Sequence, residues 1–260
     1  MAKVISVHSF RGGTGKTLIS ANLAAIFASK GHNVCLLDLD FRAPTLYSLF
    51  GLEKSSFFLN DYLNGSCDIR DILIDVTQKY STKGRFLVAA ANPDMTVIQE
   101  ITMKDRKWEM MALRRLVLLR TGFFNDENVD YGILDTSPGV QYSSINALAS
   151  SDLALIVTSL DKSDLKGTSD MISRFIKVFE KKALILANKV PGDIPSLLQS
   201  NEKDKLMEEL ATSLGSSILE AIPCYCDLLR QRGSKIFALE MPRHPFVRAL
   251  TPVAEALEAF

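Results

Sequence analysis

Short apolar runs rich in β-branched residues recur along the chain, and helical patterns of apolar and polar positions separate them. The pattern predicts six strands, at residues 3–8, 34–37, 86–90, 131–134, 153–157 and 183–187. Strands that alternate with helices are typical of a parallel sheet with helices on both faces. The sequence therefore predicts an α/β fold with a twisted, mostly parallel sheet, whose ligands bind at the carboxyl ends of the strands. Residues 54–83 are predicted to form helices and loops over one edge of that sheet.

The size and charge of the chain narrow the classes of function. Its 260 residues can bury a sizeable core, and they fit a single domain that spans residues 1–260. Thirty basic side chains balance thirty acidic ones, so the overall charge gives no reason to expect nucleic acid as the main ligand. The chain has no signal-like leader and no apolar run near the roughly 20 residues that span a bilayer. We therefore expect a cytoplasmic protein.

The most informative segment follows the first strand and precedes a helical pattern at residues 18–30. It has the sequence Phe10-Arg11-Gly12-Gly13-Thr14-Gly15-Lys16-Thr17. Glycines let the backbone aim consecutive N–H groups at phosphate oxygens, and the following helix presents the positive end of its dipole. We expect Lys16 to reach the β- and γ-phosphates and the Thr17 hydroxyl to ligate Mg²⁺. The standard motif begins with glycine, whereas Phe10 occupies that position here.

A basic residue directly before Gly-Gly-x-Gly-Lys-Thr resembles the deviant Walker A motif of the MinD/ParA family of P-loop ATPases. The resemblance implies a P-loop NTPase fold, binding of ATP or ADP with Mg²⁺, and a homodimer in the ATP state. It also implies that Arg11, a lysine in the family, crosses the dimer interface to the partner's nucleotide. The alternative is that Arg11 pairs with a carboxylate of its own chain. The implied nucleotide-binding residues here are Gly12, Gly13, Thr14, Gly15, Lys16, Thr17 and Leu18.

Two carboxylates follow the second predicted strand. Asp38 and Asp40 are spaced i, i+2, so both can face the metal and the attacking water. The pair resembles switch I of the family, which implies that Asp40 positions the water near Mg²⁺ and that Asp38 has a supporting role. The alternative is that either residue is a helix cap or a turn aspartate.

Another aspartate ends the predicted strand at residues 131–134. Asp135 fits a Walker B carboxylate, which hydrogen-bonds to a metal-bound water beside Thr17. The following residues, 136–139, are similar to the family's switch II, which implies that the Gly139 N–H contacts the γ-phosphate. The alternative is that Asp135 caps the next helix.

Later strands are predicted to recognise the base. Asn188 resembles the family's strand-end asparagine, whose amide bonds N6 and N7 of adenine, although a turn asparagine is the alternative. Residues 222–227, with Pro223 and Asp227, resemble the loop that packs on the purine. The same loop contains Cys224 and Cys226, which could form half of a metal site shared by two subunits or be ordinary buried cysteines.

Two helical patterns bear on partners. Residues 103–120 are basic and amphipathic, so they could contact DNA, lipid or a partner protein, but a surface helix with its apolar face on the core is favoured. Residues 245–260 resemble the family's last core helix. Their polar face is acidic, which disfavours attachment to an anionic membrane.

The sequence therefore predicts an ATPase switch in spatial organisation of cell division or in partitioning of DNA or cargo, with a protein partner that it does not identify. Two alternatives stay open. One is an ATPase for metal-centre maturation, and the other is a nucleotide-sensing scaffold with negligible turnover.

Overall fold

The computed structural model describes residues 2–52, 56–176, 179–191, 201–231 and 233–260. Its strands are β1 Lys3–His8, β2 Val34–Leu39, β3 Ile74–Asp75, β4 Phe86–Ala89, β5 Tyr131–Thr136, β6 Leu153–Thr158, β7 Lys182–Val190 and β8 Ile218–Pro223. All six predicted strands are confirmed, and β3 and β8 were not predicted. β3 has only two residues, and β8 carries Glu220 and ends in proline, so neither has a long apolar run.

All of these strands belong to one sheet with the order β3-β4-β2-β5-β1-β6-β7-β8. Every neighbouring pair is parallel except β3 with β4. β1 lies between β5 and β6, and β2 lies on the other side of β5. The carboxyl ends of β1, β2 and β5 are therefore adjacent, and Asp38 on β2 is in register with Asp135 on β5.

Helices fill most of the connections between strands. They are α1 Lys16–Lys30, α2 Leu46–Leu49, α3 Leu59–Asn64, α4 Thr77–Tyr80, α5 Met95–Thr102, α6 Arg106–Leu118, α7 Phe124–Asp126, α8 Tyr142–Ser150, α9 Lys162–Met171, α10 Asn201–Leu214, α11 Cys226–Arg230, α12 Phe237–Glu240 and α13 Pro245–Ala259. The prediction for residues 54–83 holds for α3 and α4, whereas β3 pairs at the sheet edge; residues 54 and 55 lie outside the described residues.

Helices cover both faces of the sheet. On one face, α1, α12 and α13 bury apolar side chains against β1, β2, β5 and β6. On the other face, α3 packs on β2, α8 packs on β1, β2 and β5, and α6 packs on α3 and α8. Farther along this face, α9 packs on β6, and α10 packs on α9 and β8. α13 buries Phe246, Leu250, Val253 and Leu257, which confirms the predicted core helix. Across the described residues, no helix combines the length and apolar composition needed to cross a membrane.

Candidate functional site

A glycine-rich loop joins β1 to α1 at the centre of the sheet. Gly13 and Gly15 have φ angles of 81° and 96°, in the left-handed region that favours glycine. A Cβ added to Gly15 would lie 2.6 Å from Asn188 Nδ2, so the loop also approaches β7 too closely for a side chain. The backbone thus has the tight turn that a phosphate site requires, directly before the N-terminus of a long helix.

Lys16 is the first residue of α1, and its side chain is buried. Burial lowers the pKa of the ammonium, and the charges of Asp135, Asp40 and Asp164 oppose that shift. Lys16 forms no direct ion pair with a carboxylate of the described residues. A buried cation near several carboxylates, but bonded to none of them, is suited to an anionic ligand. Asp164 was not predicted, because its position on α9 is distant in sequence.

Asp135 at the end of β5 is fully buried, and burial raises the pKa of its carboxyl to about 6. Its Oδ1 accepts a hydrogen bond from Ser20 Oγ at 2.9 Å, and hydrogen bonding by the Thr17 side chain lowers its pKa. Its Oδ2 has no partner among the described residues, and neither does the buried Thr14 Oγ1. The orphaned Asp135 oxygen, on a carboxylate that the Thr17 side chain contacts, fits a hydrated Mg²⁺ ion. Since the partners of Asp135 belong to α1, the helix-cap alternative has no support.

The two predicted switch I carboxylates have different surroundings. Asp38 accepts hydrogen bonds from the N–H groups of Asp40, Thr45 and Leu46, each at 3.1 Å, so both of its oxygens hold the loop that leads to α2. Burial, followed by the charge of Asp135, raises the pKa of Asp38 well above its usual range. These contacts agree with a supporting role and also with the turn alternative.

Asp40 connects the two switch segments. Its Oδ1 accepts hydrogen bonds from Ser137 Oγ at 2.9 Å and from the Ala43 N–H at 3.3 Å. Ser137 lies in the predicted switch II, so this contact ties the loop after β2 to the loop after β5. Sequence reasoning did not single out Ser137, because no local signal relates it to Asp40.

Switch II also contacts the phosphate loop. Gly139 has a φ of 80°, and its N–H donates to the Ser9 carbonyl oxygen at 2.9 Å. A γ-phosphate contact at Gly139 therefore requires this bond to open. Beneath the loop, His8 Nδ1 lies 2.7 Å from Thr136 Oγ1, and burial lowers the imidazole pKa to about 3. His8 is therefore neutral near pH 7.

Arg11 contacts its own chain. Its Nη1 lies 2.8 Å from Asp161 Oδ1 and 2.7 Å from Ser163 Oγ, and Asp161 is the N-cap of α9. The Arg11 and Asp161 side chains are 52% and 55% exposed. The alternative pairing is thus present in the single chain. Phe10 stands where the standard motif has glycine, and its ring packs directly on Gly167 of α9.

A cavity of about 310 Å³ lies beside the loop, and the predicted base-binding residues Asn188 and Pro223 line it. The Asn188 amide lines it and donates to the Thr14 carbonyl oxygen at 2.8 Å, which leaves Oδ1 and one N–H available to a base. Lys189, which was not predicted, has a φ of 58° and donates from Nζ to the Gly13 carbonyl oxygen at 2.7 Å. Leu18 and Pro223 also line this cavity.

The prediction for Asp227 needs correction. Its Oδ2 lies 2.6 Å from His244 Nε2, so the carboxylate joins α11 to the N-cap of α13 and does not line the cavity. Cys224 lines the cavity, whereas Cys226 is exposed. Across the described part of the chain, no group of three or more His, Cys, Asp or Glu side chains is placed to hold a metal ion.

Comparison with known proteins identifies the family. Residues 2–188 match the family model described as an AAA domain. The chain belongs to the MinD/ParA family. An uncharacterised protein of Pseudomonas putida is 29% identical to this MinD/ParA-family chain over 179 residues, which cover 68% of the chain and 64% of that protein. The sporulation initiation inhibitor protein Soj of Bacillus subtilis is 26% identical over 246 residues, which cover 94% of the chain and 85% of Soj.

Solved structures of MinD/ParA-type proteins have the same fold. The septum site-determining protein MinD of Pyrococcus horikoshii, complexed with Mg-ADP, superposes with a TM-score of 0.75 at 21% identity, over 99% of this chain and 96% of that one. A plasmid partition protein of Borrelia burgdorferi bound to AMPPNP superposes with a TM-score of 0.73 at 21% identity, over 100% of both chains.

Proposed function

We propose that this chain is an ATPase switch that binds Mg²⁺-ATP, closes into a homodimer and hydrolyses ATP slowly. The observation that carries the proposal is the buried Lys16 close to Asp135, whose Oδ2 is orphaned, after a loop in which Gly13 and Gly15 have left-handed backbone angles. The Mg-ADP complex of a MinD with the same fold supports the choice of ligand.

The chain's own residues divide the binding task. N–H groups of the loop and the Lys16 ammonium hold the phosphates. Thr17 and Asp135, with Asp40 nearby, would hold Mg²⁺, and the bound ion would supply neutralisation of charge on the phosphate oxygens. Asn188 and Pro223 bind the base in the cavity beside the loop.

Hydrolysis requires a positioned water, and we assign that role to Asp40. Its bond to Ser137 keeps the carboxylate in place and couples the two switch segments. When the Gly139 N–H turns from the Ser9 carbonyl to the γ-phosphate, switch II moves relative to the loop, and Asp40 responds through Ser137. Release of phosphate reverses these contacts, so nucleotide state controls the surface offered to partners.

Arg11 completes the site across the dimer. Its pair with Asp161 joins two half-exposed side chains, and such pairs are weak enough to exchange for a phosphate contact. A guanidinium offers a planar fork of donors to phosphate oxygens.

We infer a cytoplasmic role in spatial organisation of cell division or in partitioning of DNA or cargo. The names of the septum site-determining, sporulation-inhibitor and plasmid-partition relatives support it. The metal-maturation alternative has no comparable support among the names of these relatives.

The test compares Lys16→Ala with Lys30→Ala, a control that removes an ammonium from the other end of the same helix. We expect Lys16→Ala to lose Mg²⁺-dependent ATP binding and turnover, since a charge-assisted contact is removed from a buried site, and Lys30→Ala to retain both. Undiminished turnover in Lys16→Ala contradicts the proposal. ATP binding without turnover in the unaltered chain instead favours the scaffold alternative.

A further inference from the structure

α6 has two apolar faces, and only one packs on the core. Trp108, Ala112 and Leu116 are buried at i, i+4 spacing, as the sequence predicts for a surface helix. On the other side are exposed residues at i, i+1, i+4, i+7 and i+8, which share one helical face. This outer α6 face consists of Met110, Met111, Arg114, Val117 and Leu118.

The outer α6 face combines apolar exposure with unpaired positive charge. Met110 is 67% exposed, and Met111, Val117 and Leu118 are also exposed. Arg114 lies between the apolar pairs, and Lys107 lies one turn before Met111. Neither cation pairs with an acidic side chain within the described ranges. A surface with clustered apolar side chains and unpaired charge is typical of a site for another molecule.

We propose that the outer α6 face binds an acidic amphipathic helix of a partner protein. The partner's apolar side chains would cover Met110, Met111, Val117 and Leu118. Its carboxylates would pair with Lys107 and Arg114, which are seven residues apart and therefore two helical turns apart on one side. Methionine suits this role because its flexible side chain adapts to a helix laid in a groove.

The distribution of charge decides against the other occupants. A membrane-surface helix separates its cations from its apolar face, whereas Arg114 lies in the middle of the apolar positions and would be drawn into the acyl region. A second copy related by a two-fold axis would bring Arg114 and Lys107 against the same cations. Duplex DNA would cover four apolar side chains with phosphates.

The position of the face connects it to the nucleotide site. α6 contacts α8, the helix after switch II, where Asn146 Nδ2 donates to the Glu109 carbonyl oxygen at 2.9 Å and to its Oε2 at 3.0 Å. A partner on α6 is therefore one helix away from switch II. The binding proposal itself does not depend on ATP hydrolysis.

The test uses synthetic helical peptides of about 20 residues that share one leucine face and differ only in flanking Glu, Gln or Lys. Fluorescence anisotropy measures their binding to the full chain. We expect the Glu peptide to bind at least about ten times more tightly than the Gln peptide, and the Lys peptide more weakly than either. Met110→Ser should weaken binding of the Glu peptide. Met95→Ser, which alters another methionine that is 67% exposed, should leave that binding unchanged.

Charge reversal provides the stricter test. Reversing both cations, Lys107→Glu together with Arg114→Glu, should invert the preference from the Glu to the Lys peptide, and Arg248→Glu, on the exposed side of α13, should leave it unchanged. Circular dichroism checks that each variant is folded. Equal binding of Glu and Lys peptides, or no binding of the Glu peptide below roughly 1 mM, overturns the proposal.

Two further outcomes assign the face to other occupants and also overturn it. One is co-sedimentation with phosphatidylglycerol vesicles that Met110→Ser abolishes and Met95→Ser does not. The other is self-association of the chain that depends on Met110 in the same way.

In the native host, a photo-cross-linker at position 110 should capture an acidic heptad-patterned segment that a cross-linker at position 95 does not.

Discussion

Alanine substitutions at three glycines of the phosphate loop should destabilise the chain to different extents, because the three positions differ in backbone angle and in free space. Gly12 has no positive φ, and a Cβ there meets Pro138 Cγ only at 3.8 Å. Gly13 has a φ of 81° and open space around the added Cβ. Gly15 has a φ of 96° and a Cβ position 2.6 Å from Asn188 Nδ2. The series therefore separates backbone strain from steric overlap.

The magnitudes follow from these geometries. Gly12→Ala should change the free energy of unfolding by less than about 1 kcal/mol, since the backbone angle is open to alanine. Gly13→Ala should cost about 1 kcal/mol, the left-handed penalty less the gain from a stiffer unfolded chain. Gly15→Ala should cost about 2–4 kcal/mol, because Asn188 must also move and its bond to the Thr14 carbonyl is lost in a buried site.

Urea unfolding followed by tryptophan fluorescence measures the series, since Trp108 is the chain's single tryptophan and is buried. The Gly15→Ala midpoint should lie roughly 0.5–1 M below that of Gly13→Ala, with an unchanged slope. Asn188→Ala removes the overlapping atom, so the double variant with Gly15→Ala should be more stable than the sum of the single changes by about 1–2 kcal/mol. Equal midpoints for Gly13→Ala and Gly15→Ala, or additive effects in the double variant, would refute the reasoning.

Three further predictions concern protons, water and the dimer. The pKa of His8 is lowered from 6.5 to about 3, so its imidazole takes up a proton at a higher pH in the unfolded chain than in the folded chain. Lowering the pH from 7 to 5 should therefore remove about 2 kcal/mol of stability. Asp135 partly offsets this loss, because its raised pKa acts in the opposite sense. In urea unfolding, the loss of stability between pH 7 and pH 5 should therefore be smaller for His8→Gln than for the unaltered chain. An equal loss in the two proteins contradicts the lowered pKa of His8. Asp40→Ala should bind ATP and persist as a dimer on sizing chromatography, and a monomer with normal turnover rules that out. Mixing Arg11→Ala with Lys16→Ala protein should restore ATPase activity through the heterodimer; a mixture no more active than either variant favours the Asp161 pairing as the role of Arg11.

The sequence determined the framework because the relevant physics is local. Apolar runs of strand length specify six of the strands, and the Gly-Gly-x-Gly-Lys-Thr spacing specifies a turn before a helix, whatever the rest of the chain does. The carboxylates at the ends of β2 and β5 were recognisable for the same reason. β3 and β8 escaped prediction because they become strands by pairing at the edges of an existing sheet.

The tertiary structure decided which distant groups meet. Arg11 lies on Asp161, which is 150 residues away in sequence, and Ser137 bonds Asp40 across 97 residues. Asp227 turns to His244 instead of the cavity, because α11 packs against the start of α13. The pattern of α6 shows two apolar faces, but only packing decides which one the sheet covers and which one stays exposed. Which side chains contact each other depends on how distant segments pack, and the spacing of residues along the sequence carries no information about that packing.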